Sequence, residues 1–128
     1  MPDDLRNATL VAFVATRDLA RAGAFYGRVL GLKELEPNDF SRAFDAAGTV
    51  VRVTFVADHV PVVHTVLGWS VPDLEAATDV LAEKGVALLR YDGMQQDERG
   101  IWTAPSGTRV AWFHDPDGNV LSLSQVTG

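Results

Sequence analysis

Cysteine is absent from this chain of 128 residues. A disulfide scaffold is therefore excluded, and so is a thiol nucleophile. The absence fits a reducing compartment. A chain of this length buries roughly two thirds of its unfolded surface, which is enough for a hydrophobic core without covalent links.

Long apolar runs and an excess of positive charge are also missing. No window approaches the length of an apolar segment that crosses a bilayer, and the first ten residues, MPDDLRNATL, lack the apolar centre of a secretion signal. The formal net charge of −6 disfavours a nucleic-acid partner, because proteins that bind phosphate backbones cluster Lys and Arg on one face. We therefore expect a cytoplasmic protein with no membrane or nucleic-acid partner.

Most sequence signatures of catalysis are absent as well. There is no Gly-x-Ser-x-Gly elbow, no phosphate-binding loop and no GxGxxG after a strand. The adjacent acids Asp97 and Glu98 lie in a polar segment, which is typical of solvated surface. His59, His64 and His114 form no HxxxH or His-x-x-Glu pair, so the sequence predicts no cofactor and no metal ion. A displaced metal site at His64 or His114 stays an alternative.

Two halves of the sequence repeat one order of elements, a strand, an amphipathic helix and three strands. The predicted helices cover Asp18 to Leu30 and Asp73 to Lys84. Each begins at an Asp in an N-cap position and ends before a glycine, and the second is one residue shorter. The predicted strands are Leu10 to Ala15, Leu32 to Leu35, Phe40 to Ala46, Val50 to Val56, His64 to Val71, Val86 to Tyr91, Arg109 to His114 and Val120 to Val126.

Two connections in the second half stand out. The stretch DPDGN, which begins at Asp115, combines a Pro that presets φ, a Gly that accepts positive φ and Asx side chains, so it predicts a tight hairpin. The segment from Asp92 to Thr108 is longer than a usual connection and carries Trp102. Loops of this length often close over a binding site.

These modules resemble the vicinal oxygen chelate superfamily, which includes glyoxalase I, extradiol dioxygenases and bleomycin-resistance proteins. The resemblance rests on DLARAGAFYGRVLGL after the first strand and AWFHDPDGNVLSL near the end. It implies an α+β fold in which two βαβββ modules, residues 9–57 and 62–126, form a cup-shaped mixed sheet within a single domain, 1–128. It also implies a site inside the cup and a homodimer.

The resemblance also indicates where the metal enzymes of the superfamily hold their ligands. The matching positions are Val11, Val66 and Ser122. Two valines and a serine do not supply the imidazole and carboxylate groups that catalytic Zn²⁺, Fe²⁺ or Mn²⁺ sites use. We therefore interpret the chain as a metal-free, bleomycin-resistance-like member.

The period of two along each strand extends the set that faces the cup. Trp112 matches the position of a site tyrosine in fosfomycin-resistance relatives, and Trp102 lies in the loop that can close over the cup. The predicted ligand-binding residues are Val11, Phe13, Arg52, Thr54, His64, Val66, Trp102, Trp112 and Ser122. No catalytic residue is assigned.

We predict a metal-independent protein that binds a small, partly aromatic organic ligand in an apolar cup. The net negative charge favours a cationic ligand, and it also increases solubility. The competing hypothesis is an enzyme, either a metal-independent lyase or isomerase that uses His64, Arg52 or Tyr91, or a glyoxalase-like enzyme whose metal ligands lie elsewhere. A pure interaction module is the third alternative, and it predicts no cavity.

Overall fold

A computed structural model describes residues 4–126 of the protein. The chain divides into two compact units, Met1–His59 and Val60–Gly128, and each contains its own four-stranded mixed sheet. Both units follow the predicted order of a strand, a helix and three strands, which confirms the α+β class. That the two units form a single domain, 1–128, stays a prediction, and its two ends lie outside the described residues.

The first unit begins with a short 3-10 turn, Leu5–Asn7, and its sheet has the order β1-β4-β3-β2. Strand β1 runs parallel to β4, and the other neighbours are antiparallel. Tyr26 and Phe44 are fully buried between helix and sheet, with ring centroids 6.0 Å apart. The elements are β1 Val11–Thr16, α1 Leu19–Ala24, β2 Lys33–Glu34, β3 Ser41–Ala46 and β4 Thr49–Phe55.

The start and the end of α1 follow from local chemistry. Asp18 Oδ1 accepts a hydrogen bond from Arg21 N at 3.0 Å, as expected of an N-cap. Gly31 has φ of 75°, a conformation that favours glycine just after a helix. Asp73 caps the second helix in the same way, because its Oδ1 accepts from Ala76 N at 3.1 Å.

The helix predicted over Asp18 to Leu30 is not uniform. After Ala24 it widens into a π-helical turn, Phe25–Val29, in which Leu30 N donates to Phe25 O at 2.9 Å. A π turn takes one more residue than an α turn. The wider turn therefore accounts for the one-residue difference between the two predicted helices.

Arg42 joins the helix of the first unit to the sheet. Its guanidinium donates two hydrogen bonds to Glu34, at 2.7 and 2.6 Å, and a third to Leu19 O at 3.2 Å. The hydrogen bond with Arg42 lowers the pKa of Glu34 and raises the pKa of Arg42. Because the folded pKa of Glu34 lies below its unfolded value, the pair stabilises the fold above the unfolded pKa, and this contribution is lost as pH falls through the folded pKa.

The sheet of the second unit has the order β5-β8-β7-β6. Its buried face, which carries Ala111, Phe113, Leu121 and Leu123, forms a core with the buried side chains of the helix. No helix within residues 4–126 combines the length and apolar character needed to span a membrane. The elements are β5 Thr65–Ser70, α2 Leu74–Glu83, β6 Trp102–Thr103, β7 Arg109–His114 and β8 Val120–Gln125.

The strand predicted over Val86 to Tyr91 is wrong. Within residues 4–126 the segment forms no named strand, and it meets β7 through an isolated bridge from Leu88 to Phe113 and a hydrogen bond from Leu89 N to Trp112 O (2.8 Å). Strand β6 occupies the rest of the edge, because Trp102 and Thr103 pair with β7. The edge beside β7, predicted as one strand, is therefore shared by two segments, the one around Leu88 and strand β6.

The hairpin predicted at DPDGN is confirmed, and Asp115 organises it. The Asp115 side chain, with a residue exposure of 5%, accepts hydrogen bonds from Asp117 N at 2.9 Å, Asn119 N at 3.0 Å and Asn119 Nδ2 at 2.8 Å. Gly118 has φ of 88°, a backbone conformation that would be strained for a residue with a side chain. The turn sets the register in which β7 pairs with β8.

Candidate functional site

Strands β5, β8 and β7 of the second unit expose small, polar and aromatic residues on the side away from α2. We call this side the open face of the second unit. Across the strands, Gly68, Ser122 and Trp112 lie in one row, and Ser70, Ser124 and Val110 lie in the next. A Cβ added to Gly68 would lie 2.6 Å from Ser122 Oγ, so the glycine leaves room for that hydroxyl. Ser122 and Trp112 are therefore neighbours on one face.

Three aromatic rings form a cluster on this face, which we call the aromatic cluster: Tyr91, Trp102 and Trp112. The Tyr91 and Trp112 rings meet edge to face, with centroids 5.5 Å apart and planes at 90°. The Trp102 ring lies 6.2 Å from that of Trp112, at 38°. Trp102 is positioned by β6, where it pairs with Val110. The loop tryptophan and the strand tryptophan of the sequence prediction thus lie together.

The aromatic cluster adjoins open cavities whose volumes lie within or just below the range of small-molecule sites. A cavity of about 270 Å³ is lined by Val63, His64, Thr65, Tyr91, Met94, Trp112 and Val120. A cavity of about 490 Å³ is lined by Tyr91, Asp92, Gly93, Met94, Gln95 and Trp102. Another of about 490 Å³ is lined by Pro61, Val62, Val63, Leu89, Arg90, Tyr91, His114, Gly118 and Val120. Tyr91 borders all of them.

The long segment that carries Trp102 is held by the amide of Gln96. Its Nε2 donates to Leu89 O at 2.9 Å and to Gly100 O at 2.8 Å, and its Oε1 accepts from Tyr91 N at 2.8 Å. The amide thus satisfies backbone groups that a continuous strand over Val86 to Tyr91 would have paired. This contact fixes the backbone at Tyr91, and sequence reasoning missed it because a glutamine in a polar loop carries no recognisable signal.

A tight turn and ion pairs anchor the same segment. Asp97 is exposed, as predicted for solvated surface, and its Oδ1 also caps a turn by accepting from Arg99 N and Ile101 N, both at 2.9 Å. Arg99 pairs with Asp79 of α2 at 3.1 Å, a hydrogen bond that raises the pKa of Arg99. Arg109 pairs with Glu75 of α2 at 3.0 Å.

His64 and Val66, both predicted to face the ligand, lie near a bulge in β5. The register with β8 passes from Thr65 to Leu67 and leaves Val66 without a partner. A bulge interrupts the alternation of faces, so counting in twos from Val66 to His64 does not hold across it. His64 nevertheless lines the cavity of about 270 Å³, and its Nδ1 lies 3.2 Å from Thr65 O.

The remaining predicted residues lie in the first unit, on the side of its sheet away from α1. We call this side the open face of the first unit. Phe13 pairs in register with Arg52, and Ala15 pairs with Thr54 on the next row. The Phe13 side chain is prominent, with 66% of its surface exposed, and Val11 is 38% exposed.

The residues at the expected metal-ligand positions do not fit a divalent metal ion. Val11 and Val66 offer only hydrocarbon, and Ser122 offers a neutral hydroxyl beside Gly68. In the part of the chain from residue 4 to 126, no three His, Asp or Glu side chains are grouped so that they could hold a metal ion. These positions therefore supply no set of ligands for a divalent metal ion.

We expect the purified protein to carry no stoichiometric transition metal. Elemental analysis after dialysis against metal-free buffer checks this directly. One Zn, Mn, Fe or Ni per chain, lost on chelation together with thermal stability, would contradict the prediction.

Comparison with known proteins identifies the relatives of this chain. The profile of the Glyoxalase/Bleomycin resistance protein/Dioxygenase superfamily matches residues 9–123. Among curated proteins, none matches the chain.

Solved structures share the fold at low sequence identity. A glyoxalase family protein from Bacillus anthracis superposes with a TM-score of 0.76 at 15% identity, covering 99% of this chain and 100% of that one. A lactoylglutathione lyase from Agrobacterium tumefaciens gives 0.72 at 15%, covering 93% of each chain. TioX from Micromonospora sp. ML1 gives 0.70 at 17%, covering 94% and 100%.

Identities this low establish the fold and leave the activity open. The profile match, however, extends from before β1 to Leu123 and includes every strand and helix of both modules except the last two residues of β8. The chain therefore belongs to the glyoxalase/bleomycin resistance protein/dioxygenase superfamily.

Proposed function

We propose that the protein binds a small, partly aromatic organic molecule on the open face of the second unit, without a metal ion. The observation that carries this proposal is the aromatic cluster beside the cavity of about 270 Å³. Apolar walls with a few polar groups are typical of small-molecule sites. The third hypothesis, a pure interaction module, predicts no cavity and is therefore less well supported.

Trp112 is the centre of the proposed site. It contacts both other rings of the aromatic cluster, and Ser122 and Gly68 extend its row with small side chains. A flat ligand placed over Ser122 and Gly68 meets little steric obstruction and can contact the Trp112 ring. His64 and Thr65 supply polar atoms at the rim of the cavity.

A cationic ligand fits the electrostatics. Ring faces of Trp and Tyr attract cations, and Asp92 borders the cavity next to Trp102. The net charge of −6 favours the approach of a cation to the protein as a whole. We propose that cationic aromatic compounds bind more tightly than neutral compounds of the same shape.

The second candidate is a lyase or isomerase. His64 and Tyr91 line one cavity, so an acid–base pair is available there, which favours this candidate. Turnover of methylglyoxal with glutathione, lost in His64→Ala, would favour the enzyme over the binding protein. A homodimer and a cytoplasmic location remain predictions, as does a ligand role for Val11, Thr54 and Val66.

We expect Trp112→Ala to weaken binding of hits from a thermal-shift screen of planar aromatic cations, each paired with a neutral isostere. Loss of one stacking or cation–π partner corresponds to about 1 kcal/mol, or about fivefold in Kd. Ser122→Ala is the matched control, because it removes a small hydroxyl from the same row, and its effect should be smaller. Isothermal titration calorimetry gives both values.

Tryptophan fluorescence locates the bound ligand. Trp69 pairs with Leu123, on the opposite side of the same sheet from Trp112. Quenching by a hit should therefore persist in Trp69→Phe and decrease in Trp112→Phe. Unchanged affinity in a folded Trp112→Ala, together with lost binding in Ser122→Ala, would show that the site is misplaced.

A further inference from the structure

Arg52 lies in the middle of the open face of the first unit. Its strand neighbours in register are Phe13 on β1 and Ala43 on β3. Ala43 is small, and Phe13 is largely exposed, so Arg52 has a small side chain on one neighbouring strand and an exposed apolar ring on the other. Arg52 itself is partly buried. This environment differs from that of a surface arginine surrounded by water.

A short hydrogen-bonded chain orients the guanidinium. Arg52 Nη1 donates to Ser41 Oγ at 2.9 Å, and Ser41 Oγ lies 3.2 Å from Asn38 Oδ1, to which it donates. Ser41 N also donates to Asn38 Oδ1, at 2.8 Å, and Ser41 is only 4% exposed. The serine is thus fixed from two sides. Its hydroxyl accepts one donor of Arg52 and leaves the other guanidinium N–H groups available.

Among the described residues 4–126, Arg52 has no acidic partner, in contrast to several other arginines. Arg42, Arg99 and Arg109 each pair with a carboxylate. Among residues 4–126, the contact that the structure gives the Arg52 side chain is the neutral Ser41 hydroxyl.

On this face, the acidic residue closest to Arg52 in the strand register already accepts a backbone hydrogen bond. Asp45 opposes Val50, two positions from Arg52, and its Oδ1 accepts from Gly48 N at 2.8 Å. In a chain of net charge −6, an oriented and partly buried cation without a carboxylate is an exception, and an oxyanion would supply the missing charge-assisted hydrogen bonds.

We propose that Arg52 binds the carboxylate of an organic anion whose apolar part lies against Phe13. The planar guanidinium matches a carboxylate in a two-point contact, and Ser41 holds it in the required orientation. Phe13 supplies an exposed ring one strand away. Arg52 and Phe13 lie in the first unit, whereas the aromatic cluster lies in the second.

Sodium benzoate is the probe, titrated into the full chain at constant ionic strength with benzamide as its neutral isostere. Binding is followed by calorimetry and by the Nε–Hε resonances of arginine. We expect Arg52→Met to weaken benzoate binding about 10- to 100-fold, as for loss of a charged hydrogen-bond partner. Arg52→Lys keeps the positive charge but lacks the planar two-point donor geometry of the guanidinium, so it should show an intermediate loss of benzoate affinity.

Control variants distinguish this site from general charge effects. Arg6→Met removes the same charge from an exposed position and should leave benzoate affinity unchanged. Ser41→Ala should weaken binding less than Arg52→Met. Inorganic phosphate, which has no apolar part, should bind more weakly than benzoate, and Phe13→Ala should remove that difference.

Several results would overturn the proposal. The wild-type protein would show no saturable benzoate binding, or it would bind benzamide or phosphate as tightly as benzoate. Equal benzoate affinity in wild type and in a folded Arg52→Met would also contradict it. If Trp112→Ala leaves the benzoate affinity intact, Arg52 binds benzoate without help from the aromatic cluster. A loss in Trp112→Ala as large as that in Arg52→Met would contradict the assignment of the benzoate ring to Phe13.

Discussion

Replacing Asp115 with alanine should lower the free energy of unfolding by about 3 kcal/mol, because it removes a buried carboxylate that accepts several hydrogen bonds. The N–H groups of Asp117 and Asn119 would lose their acceptor in a turn that is almost closed to water. Urea unfolding followed by tryptophan fluorescence measures the change, since Trp69, Trp102 and Trp112 all lie in the unit that contains this turn.

Two further variants separate the hydrogen bonds of Asp115 from its charge. Asp115→Asn keeps one oxygen but places an NH₂ group opposite Asn119 Nδ2, so we expect an intermediate loss of about 1 to 2 kcal/mol. Asp39→Ala removes an exposed acid from a loop and should change stability by less than about 0.5 kcal/mol. Equal stability of Asp115→Ala and Asp39→Ala would show that the turn does not depend on this side chain.

The sequence predicted the features that local chemistry determines. The Asp N-caps, the glycines after the helices and the DPDGN hairpin depend on residues within a few positions of each other, and the structure contains all of them. The one-residue difference between the two helices was also visible in the repeat. Its cause, the π turn at Phe25–Val29, required the hydrogen bonds of the structure.

Features that depend on distant partners were harder to predict. Val86 to Tyr91 has the apolar character of a strand, but the Gln96 amide and β6 take over the pairing that this prediction assumed. The bulge at Val66 likewise has no local signal in the sequence, and it interrupts the alternation from which the face of His64 was predicted. Both cases involve contacts whose geometry no local pattern encodes.

The candidate site was predictable in part for the same reason. Trp112 and Ser122 were predicted from positions that the family resemblance implies, and the hairpin places them opposite each other in the register of β7 and β8. Met94 and Gln96 lie in the long segment, where no periodicity constrains direction, so they were missed. Tyr91 was considered only as an acid–base group, whereas its ring belongs to the aromatic cluster.

The packing of Gly23 against Arg42 leads to the second large expected effect. Gly23 lies inside α1, where glycine costs roughly 1 kcal/mol relative to alanine. A Cβ at this position would overlap the Arg42 guanidinium, which is held by Glu34 and by Leu19 O and therefore has little freedom to move. Gly23 is thus required by the arginine that packs on it and disfavoured by the helix that contains it.

We expect Gly23→Ala to destabilise the wild-type protein by about 1 to 3 kcal/mol, the usual cost of overpacking. In an Arg42→Ala background the overlap disappears, and the same substitution should stabilise by roughly 0.5 to 1 kcal/mol through helix propensity. Chemical denaturation followed by circular dichroism is the measurement, since no tryptophan lies in the first unit.

The decisive quantity in this double-mutant cycle is the change of sign between the two backgrounds, because it does not depend on how much Arg42→Ala itself costs. Ala20→Gly, at an exposed position of the same helix, is the matched control for helix propensity. It should destabilise wild type and Arg42→Ala by the same roughly 1 kcal/mol. If Gly23→Ala costs the same in both backgrounds, the glycine is required by something other than the guanidinium, and Arg42 does not determine the approach of α1 to the sheet.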